Sequence, residues 1–306
     1  MKLFSGLCAF PITPLNDQAE VDSDAFTELV RDLCLAQVDS LGVLGSTGLY
    51  TYLDRTQRRR AIRAAVRAAD GKVPVMAGIG ALRTDTACTF ANDAAEEGAD
   101  ALLLAPVSYT PLVDEEVFEH FSAVASTTAV PLCIYNNPTT TKFRFSMELL
   151  ERLACLPTVK AVKMPLPASG DLQGELGELR GLPSEKQLAV GYSGDWGAVD
   201  ALLAGADAWF SVTGGIYPYV ARALTRRAQA GDRRGADELN RHLEPLWELL
   251  REFGGLRVVH SLATNSRLPR ALLPRPLLPL PPPGHERVLA IAATLDKLEL
   301  RLREAL

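Results

Sequence analysis

Two lysines stand three residues apart in the segment 158–167, TVKAVKMPLP, which is otherwise apolar, rich in β-branched residues and closed by proline. That pattern reads as a buried strand ended by a breaker. The chain holds only seven lysines among its 32 basic residues, so two in one core strand call for a reason. Side chains alternate faces along a strand. The spacing predicts Val159, Ala161 and Lys163 on one face and Lys160, Val162 and Met164 on the other. Lys160, at the strand's start, is expected to reach solvent by snorkelling. Lys163, at its end, reads either as a rim lysine paired to an acid or as a nucleophile. In an apolar pocket the charged form of a lysine is disfavoured, and a neutral amine can form a Schiff base with a carbonyl substrate.

Other groups suited to chemistry also fall at the ends of apolar runs. Gly45-Ser46-Thr47-Gly48 places two hydroxyls between two glycines. It reads either as a tight turn or as an oxyanion cradle of N–H and O–H groups. Tyr135 ends its run within YNNP and is either a core tyrosine or a proton-transferring phenol. The four histidines are scattered without metal-ligand spacing, so no metal site is expected. The five cysteines form no C-x-x-C, and most sit in apolar runs and read as reduced core residues.

These groups need elements to hold them. Apolar runs at 6–13, 40–44, 73–79, 101–105, 131–135, 158–164, 187–190 and 208–212 alternate with helical patterns. The helical patterns cover 23–35, 54–69, 84–97, 114–126, 146–154, 171–180, 195–204 and 217–230, with Asp22 or Ser23 able to cap the first. Strands alternating with helices, and apolar on both faces, imply a covered parallel sheet. Eight such units predict a (β/α)8 TIM barrel, and no G-x-G-x-x-G follows the first strand as an open dinucleotide-binding sheet would require. After Asp232 the strand signals stop. Two helical patterns, 236–253 and 286–306, flank the proline-rich stretch 268–284, which is expected to run extended. The division is therefore a catalytic barrel over 1–230 and a C-terminal helical extension over 231–306. In such a barrel the chemistry sits at the C-terminal ends of the strands, where GSTG, PVSYTP (106–111), Tyr135, Lys163, YSGD (192–195) and TGG (213–215) all fall.

The chain has 306 residues, is 47% hydrophobic and 23% charged, and carries a net charge of −5 with both signs interspersed. This argues against nucleic acid or an anionic membrane surface as partner. No run approaches a membrane span, and the N-terminus lacks a signal-peptide core, so the expected location is cytoplasmic.

GSTG after the second strand, YNNP after the fifth, VKMP at the end of the sixth and SGD after the seventh occur in the order and at the spacing of one family. The chain resembles the dihydrodipicolinate synthase / N-acetylneuraminate lyase family over essentially its whole length, including FPITPL near the start and SVTGG after the eighth strand. The resemblance implies a class I, metal-independent lyase or aldolase without a cofactor, acting on pyruvate or a related 2-oxo acid and assembled as a homo-oligomer, tetramer or dimer. Carried over by motif, Lys163 is the Schiff-base lysine and Tyr135 the proton-transferring tyrosine. Ser46, Thr47 and Gly48 bind the 2-oxo acid carboxylate and serve a hydroxyl relay in which Thr47 is catalytic, and Gly194 lines the pocket. Three positions depart from the family pattern. Leu49 replaces a glutamate. Thr140 stands where synthases of the lysine pathway carry an arginine for the second substrate's carboxylate, a contact for which Lys142 or Arg144 is a candidate substitute. Ser108, with Tyr109 beside it, falls at a relay-tyrosine position. The expected substrate is a pyruvate-related 2-oxo acid such as a 2-keto-3-deoxy sugar acid. The alternatives are the authentic 4-hydroxy-tetrahydrodipicolinate synthase reaction, a non-catalytic oxo-acid-binding paralog, and pyridoxal phosphate on Lys163.

Overall fold

The computed structural model describes residues 3–183, 188–266 and 272–305. Eight short parallel strands close on themselves in chain order. They are β1 (Gly6–Ala9), β2 (Ser40–Val43), β3 (Val75–Gly78), β4 (Ala101–Leu104), β5 (Leu132–Tyr135), β6 (Val159–Met164), β7 (Ala189–Tyr192) and β8 (Ala208–Ser211). Closure is carried by β1 against β8, with Gly6 opposite Ala208 and Ala9 opposite Ser211. Helices α1 (Ser23–Leu35), α2 (Arg55–Ala69), α3 (Thr84–Glu96) and α4 (Asp114–Thr127) follow the first four strands. A one-turn helix α5 (Pro138–Thr141) precedes α6 (Met147–Ala154), and α7 (Leu172–Arg180), α8 (Ala198–Leu203) and α9 (Pro218–Gln229) complete the ring. The chain is thus a TIM barrel. Its outer core lies between strands and helices, while a smaller inner cluster of Cys8, Phe10, Leu103, Cys133, Ala161 and Phe210 fills the barrel itself. Asp22, Asp54, Ser146 and Asp171 each accept an amide hydrogen bond from the first turn of the helix they precede, the arrangement their residue types favour.

Several elements differ from the sequence-based expectation. In β6 the alternation slips. Leu132 pairs with Val159 and the next residue, Cys133, with Ala161, so one extra residue of β6 is bulged out. Val159 therefore falls with Val162 and Met164 in the outer core instead of sharing the inner face of Ala161 and Lys163. A bulge inserts one residue and inverts the phase of everything before it. β1 ends at Ala9, four residues before the apolar run does, because Pro11 and Pro14 cannot donate to a ladder. The pattern at 195–204 divides into a 3-10 turn, Asp195–Gly197, and α8. Gln187, at the expected start of the seventh strand, lies outside the described residues.

Beyond the barrel the expected single helix at 236–253 is two, α10 (Arg233–Asn240) and α11 (Glu244–Phe253), with Pro245 in the first turn of the second. Proline suits a helix's first turn but not its interior. A further helix, α12 (Gly255–Ser266), was not signalled. The last, α13 (Pro282–Glu304), begins four residues before the expected 286. Of the proline-rich stretch, 268–271 lies outside the described residues, and 272–281 runs without helix or strand. α13 ties back to the barrel: the buried Glu299 carboxylate accepts the Tyr219 and Val220 amides of α9 at 3.1 and 2.9 Å. These are donors that a helix N-terminus leaves open.

Candidate active site

Lys163 is the penultimate residue of β6 and points into the barrel, where it is 3% exposed. Its ammonium lies 3.7 Å from the ring centre of Phe10, 4.3 Å from that of Tyr135 and 5.6 Å from that of Phe210. Phe10 and Phe210 meet edge to face at 6.1 Å. The lysine is therefore caged by aromatic faces and is not a rim residue held by an acid. Cys8 and Cys133 lie in the same inner cluster. Burial pushes the Cys8 thiol up to about 12, although the Ser40 hydroxyl and the Lys163 charge both pull it down. Burial raises Cys133 in the same way. Both stay as thiols.

Room for the cage comes from β2 and the turn after it. A Cβ on Gly42 would lie 2.3 Å from Phe10 Cζ, and one on Gly45 2.6 Å from its Cδ1. Only glycine at both positions lets the Phe10 ring lie across the barrel. The GSTG turn is flanked by two residues in the left-handed region, Leu44 (φ 55°) and Leu49 (φ 63°), a costly conformation for leucine that surrounding contacts must enforce. Those contacts come from both sides. The Thr13 hydroxyl donates to the Gly48 carbonyl at 2.8 Å, and His260 Nε2, from α12, lies 3.1 Å from the Thr47 carbonyl. Leu49 itself is fully buried.

The turn splits its two hydroxyls. Ser46 Oγ lies 3.3 Å from the Tyr135 hydroxyl. The Thr47 hydroxyl is buried and has no hydrogen-bond partner among the described residues. Tyr135 ends β5 and also accepts a hydrogen bond, at 2.9 Å, from Asn137 Nδ2. With Asn137 donating, the phenol keeps its own proton available. Lys163, Tyr135, Ser46 and Thr47 are thus brought to one end of the barrel.

The other candidates lie further out. Thr140 is exposed on α5, its hydroxyl 3.4 Å from the Asn137 carbonyl, and Lys142 Nζ donates to the Thr139 carbonyl at 2.8 Å. Arg144 is exposed and acts at a distance on Glu175, whose carboxyl is raised by burial and lowered by Tyr192 and Arg144. The Ser108 hydroxyl donates to the Thr110 carbonyl, and Tyr109 is 97% exposed, so neither joins the hydroxyl pair within this chain. Gly194 adopts φ 94° and faces Leu166. Beside it, the carboxylate of Asp195 is fully enclosed and accepts from Trp209 Nε1 (2.9 Å), the Thr213 amide (2.8 Å) and Ser211 Oγ (3.3 Å), tying the β7 and β8 ends together.

Sequence reasoning missed Phe10, Phe210, Asn137 and His260. Asn137 was within reach, since it belongs to the YNNP motif. The others come from distant segments, and nothing local marks them.

What decides among the chemistries a barrel can host is the caged amine at a strand's C-terminal end. Fold and site together define a class I, Schiff-base-forming lyase. The chain belongs to the dihydrodipicolinate synthetase family, whose profile matches residues 3–295. It is 34% identical over 236 residues to the 4-hydroxy-tetrahydrodipicolinate synthase of Alcanivorax borkumensis, covering 77% of this chain and 78% of that one. The crystal structure of dihydrodipicolinate synthase from Agrobacterium tumefaciens superposes with a TM-score of 0.93 at 54% identity, over 95% of this chain and 98% of that one. A monomeric dihydrodipicolinate synthase variant shares the fold at 23% identity, with a TM-score of 0.89 over 96% and 97% of the two chains.

Proposed function

We propose that the protein forms an iminium between Lys163 and a pyruvate-related 2-oxo acid and uses it as an electron sink for aldol-type cleavage or dehydration, with a 2-keto-3-deoxy sugar acid as the fitting substrate class. The observation that carries this is the Lys163 amine enclosed by Phe10, Tyr135 and Phe210. The amine adds to the 2-oxo carbon and water leaves, giving the iminium. Electrons from a C3–H or C3–C4 bond then flow into it to give an enamine. Tyr135, with Ser46 on its oxygen, carries the protons of these steps. The unengaged Thr47 hydroxyl, with Ser46 and Gly48 of the same turn, receives the substrate carboxylate. Gly194, Thr140, Ser108 and Tyr109 border the outer part of the site.

A second reading, condensation of pyruvate with aspartate semialdehyde, is favoured by the name of the Alcanivorax relative. Thr140 weighs against it. An exposed threonine offers no bidentate grip on a second carboxylate.

The barrel of 1–230 carries the chemistry and 231–306 supports it. We further infer a cytoplasmic homo-oligomer, dimer or tetramer. Its basis is the family resemblance, the free thiols, and the exposure of Tyr109 at 97%, Leu82 at 68% and Val113 at 61%. Light scattering reads the oligomeric state directly.

Borohydride reduction in the presence of pyruvate, followed by peptide mass mapping, tests the central step. A stable adduct on Lys163, lost in Lys163→Ala, is expected. No adduct with pyruvate or with a panel of 2-oxo acids would overturn it.

A further inference from the structure

Tyr50 opens the 3-10 turn Tyr50–Tyr52, two residues past GSTG, and is 7% exposed. Its ring is fixed from two sides. Arg58 lies over it at 5.4 Å. Gly80 leaves the space that the ring edge occupies, since a Cβ there would come within 2.9 Å of Cε2. Arg58 is itself buried and immobilised: Nε donates to the Leu53 carbonyl and Nη1 to the Gly80 carbonyl, both at 3.2 Å, and Phe90 stacks at 4.1 Å.

Tyr50 and Tyr135 face one small cavity of about 10 Å³, close to the volume that a single water centre requires. Among the described residues, theirs are the polar side chains on its wall; the rest is glycine and aliphatic. Burial first, and the Tyr135 phenol second, push the Tyr50 phenol up, while Arg58 pulls it down. Tyr50 therefore stays protonated and able to donate.

Building on the reading of Tyr135 as the proton-transferring group, we propose that Tyr50 is a positioning residue for that proton, acting through one water held between the two phenols. When Tyr135 gives its proton to the reacting enamine, the water returns one to the Tyr135 oxygen, Tyr50 gives one to the water, and solvent restores Tyr50. The same path run backwards discharges a proton taken from substrate. No atom gains or loses electrons, and each oxygen ends as it began. The Tyr135 oxygen can accept from both Asn137 and this water while donating to Ser46 or substrate.

Tyr50→Phe removes the oxygen and keeps the ring. Two readouts separate the roles: the yield of borohydride-trapped pyruvate on Lys163, and the rate at which pyruvate C3 protons exchange in D₂O, followed by proton NMR. Trapping at the wild-type yield, with exchange slowed about tenfold or more, is the expected result. Exchange within about twofold of wild type, with trapping intact, overturns the role of Tyr50 and leaves the Schiff-base reading standing. Loss of trapping in the variant assigns Tyr50 to binding and also overturns it. Absence of trapping in the wild type removes the Schiff-base reading itself, and this inference with it.

Discussion

The Tyr135 hydroxyl lies 3.3 Å from Ser46 Oγ, while the hydroxyl of Thr47, the residue after Ser46, is buried and has no hydrogen-bond partner among the described residues. One turn thereby offers a relay partner and an unengaged donor side by side. Ser46→Ala is expected to lower kcat about 100-fold and to raise KM less than Thr47→Ala does, since it removes a partner of the phenol proposed to move protons while leaving Thr47 and Gly48 for the carboxylate. Thr47→Ala is expected to raise KM for the 2-oxo acid about tenfold with kcat largely kept. Steady-state kinetics of the two variants decide between this assignment and its reverse, which the family resemblance suggested.

Lys163 is enclosed by rings, and burying a polar amine among apolar faces is unfavourable. Lys163→Met fills the same space without the polar nitrogen. The variant is expected to lose all turnover while gaining about 1 kcal/mol of stability. Thermal melts alongside activity assays check both. A destabilised Met variant would mean that the cage favours the lysine for packing as well as for chemistry.

Gly42 holds open the space for the Phe10 ring. Gly42→Ala is expected to cost about 1–3 kcal/mol through overpacking, and to slow borohydride trapping as Phe10 leaves the amine. Gly177→Ala in α7, where an added Cβ meets nothing, serves as the control and is expected to stabilise by about 0.5–1 kcal/mol. Equal behaviour of the two variants in denaturant melts would remove the cage argument.

Burial pushes the Asp195 carboxyl above its ordinary value of 3.8, although the hydrogen bonds it accepts pull the other way. The folded chain thus holds this proton more tightly than the unfolded one. Its contribution to stability is complete below the unfolded value and is lost as pH rises through the folded one. Asp195→Asn lacks this titration. The stability of wild type relative to Asp195→Asn is expected to fall as pH rises above about 4, levelling once both states are ionised. Urea melts from acid to neutral pH measure the slope, and a rise would contradict it.

Thr140 bears on substrate choice. Thr140→Arg supplies the fork that a second carboxylate needs, and is expected to raise condensation with aspartate semialdehyde about tenfold or more. A coupled assay with pyruvate and the semialdehyde reads this. No gain in the variant would place the discrimination elsewhere in the site.

Local sequence carried the barrel because each strand and helix announces itself within a few residues: apolar runs, amphipathic runs, and caps such as Asp22 and Asp54. It carried Lys163, Tyr135 and GSTG because each ends a run. The slip at Val159 was not legible, since a bulge depends on how β6 pairs with β5 and not on β6 alone. The cage was not legible either. Phe10 and Phe210 lie 200 residues apart and meet only because β1 closes on β8. Nor was His260, whose place against Thr47 is fixed by a helix that the pattern after Asp232 did not signal.

The contacts from α12 and α13 set an order in time. Ribosomes release the lysine, the phenol and the hydroxyl turn well before His260, which braces that turn, and Glu299, which caps α9. A nascent chain carrying every reactive group is still without its last two braces. The geometry of the turn and of the start of α9 is therefore complete only once α12 and α13 are in place.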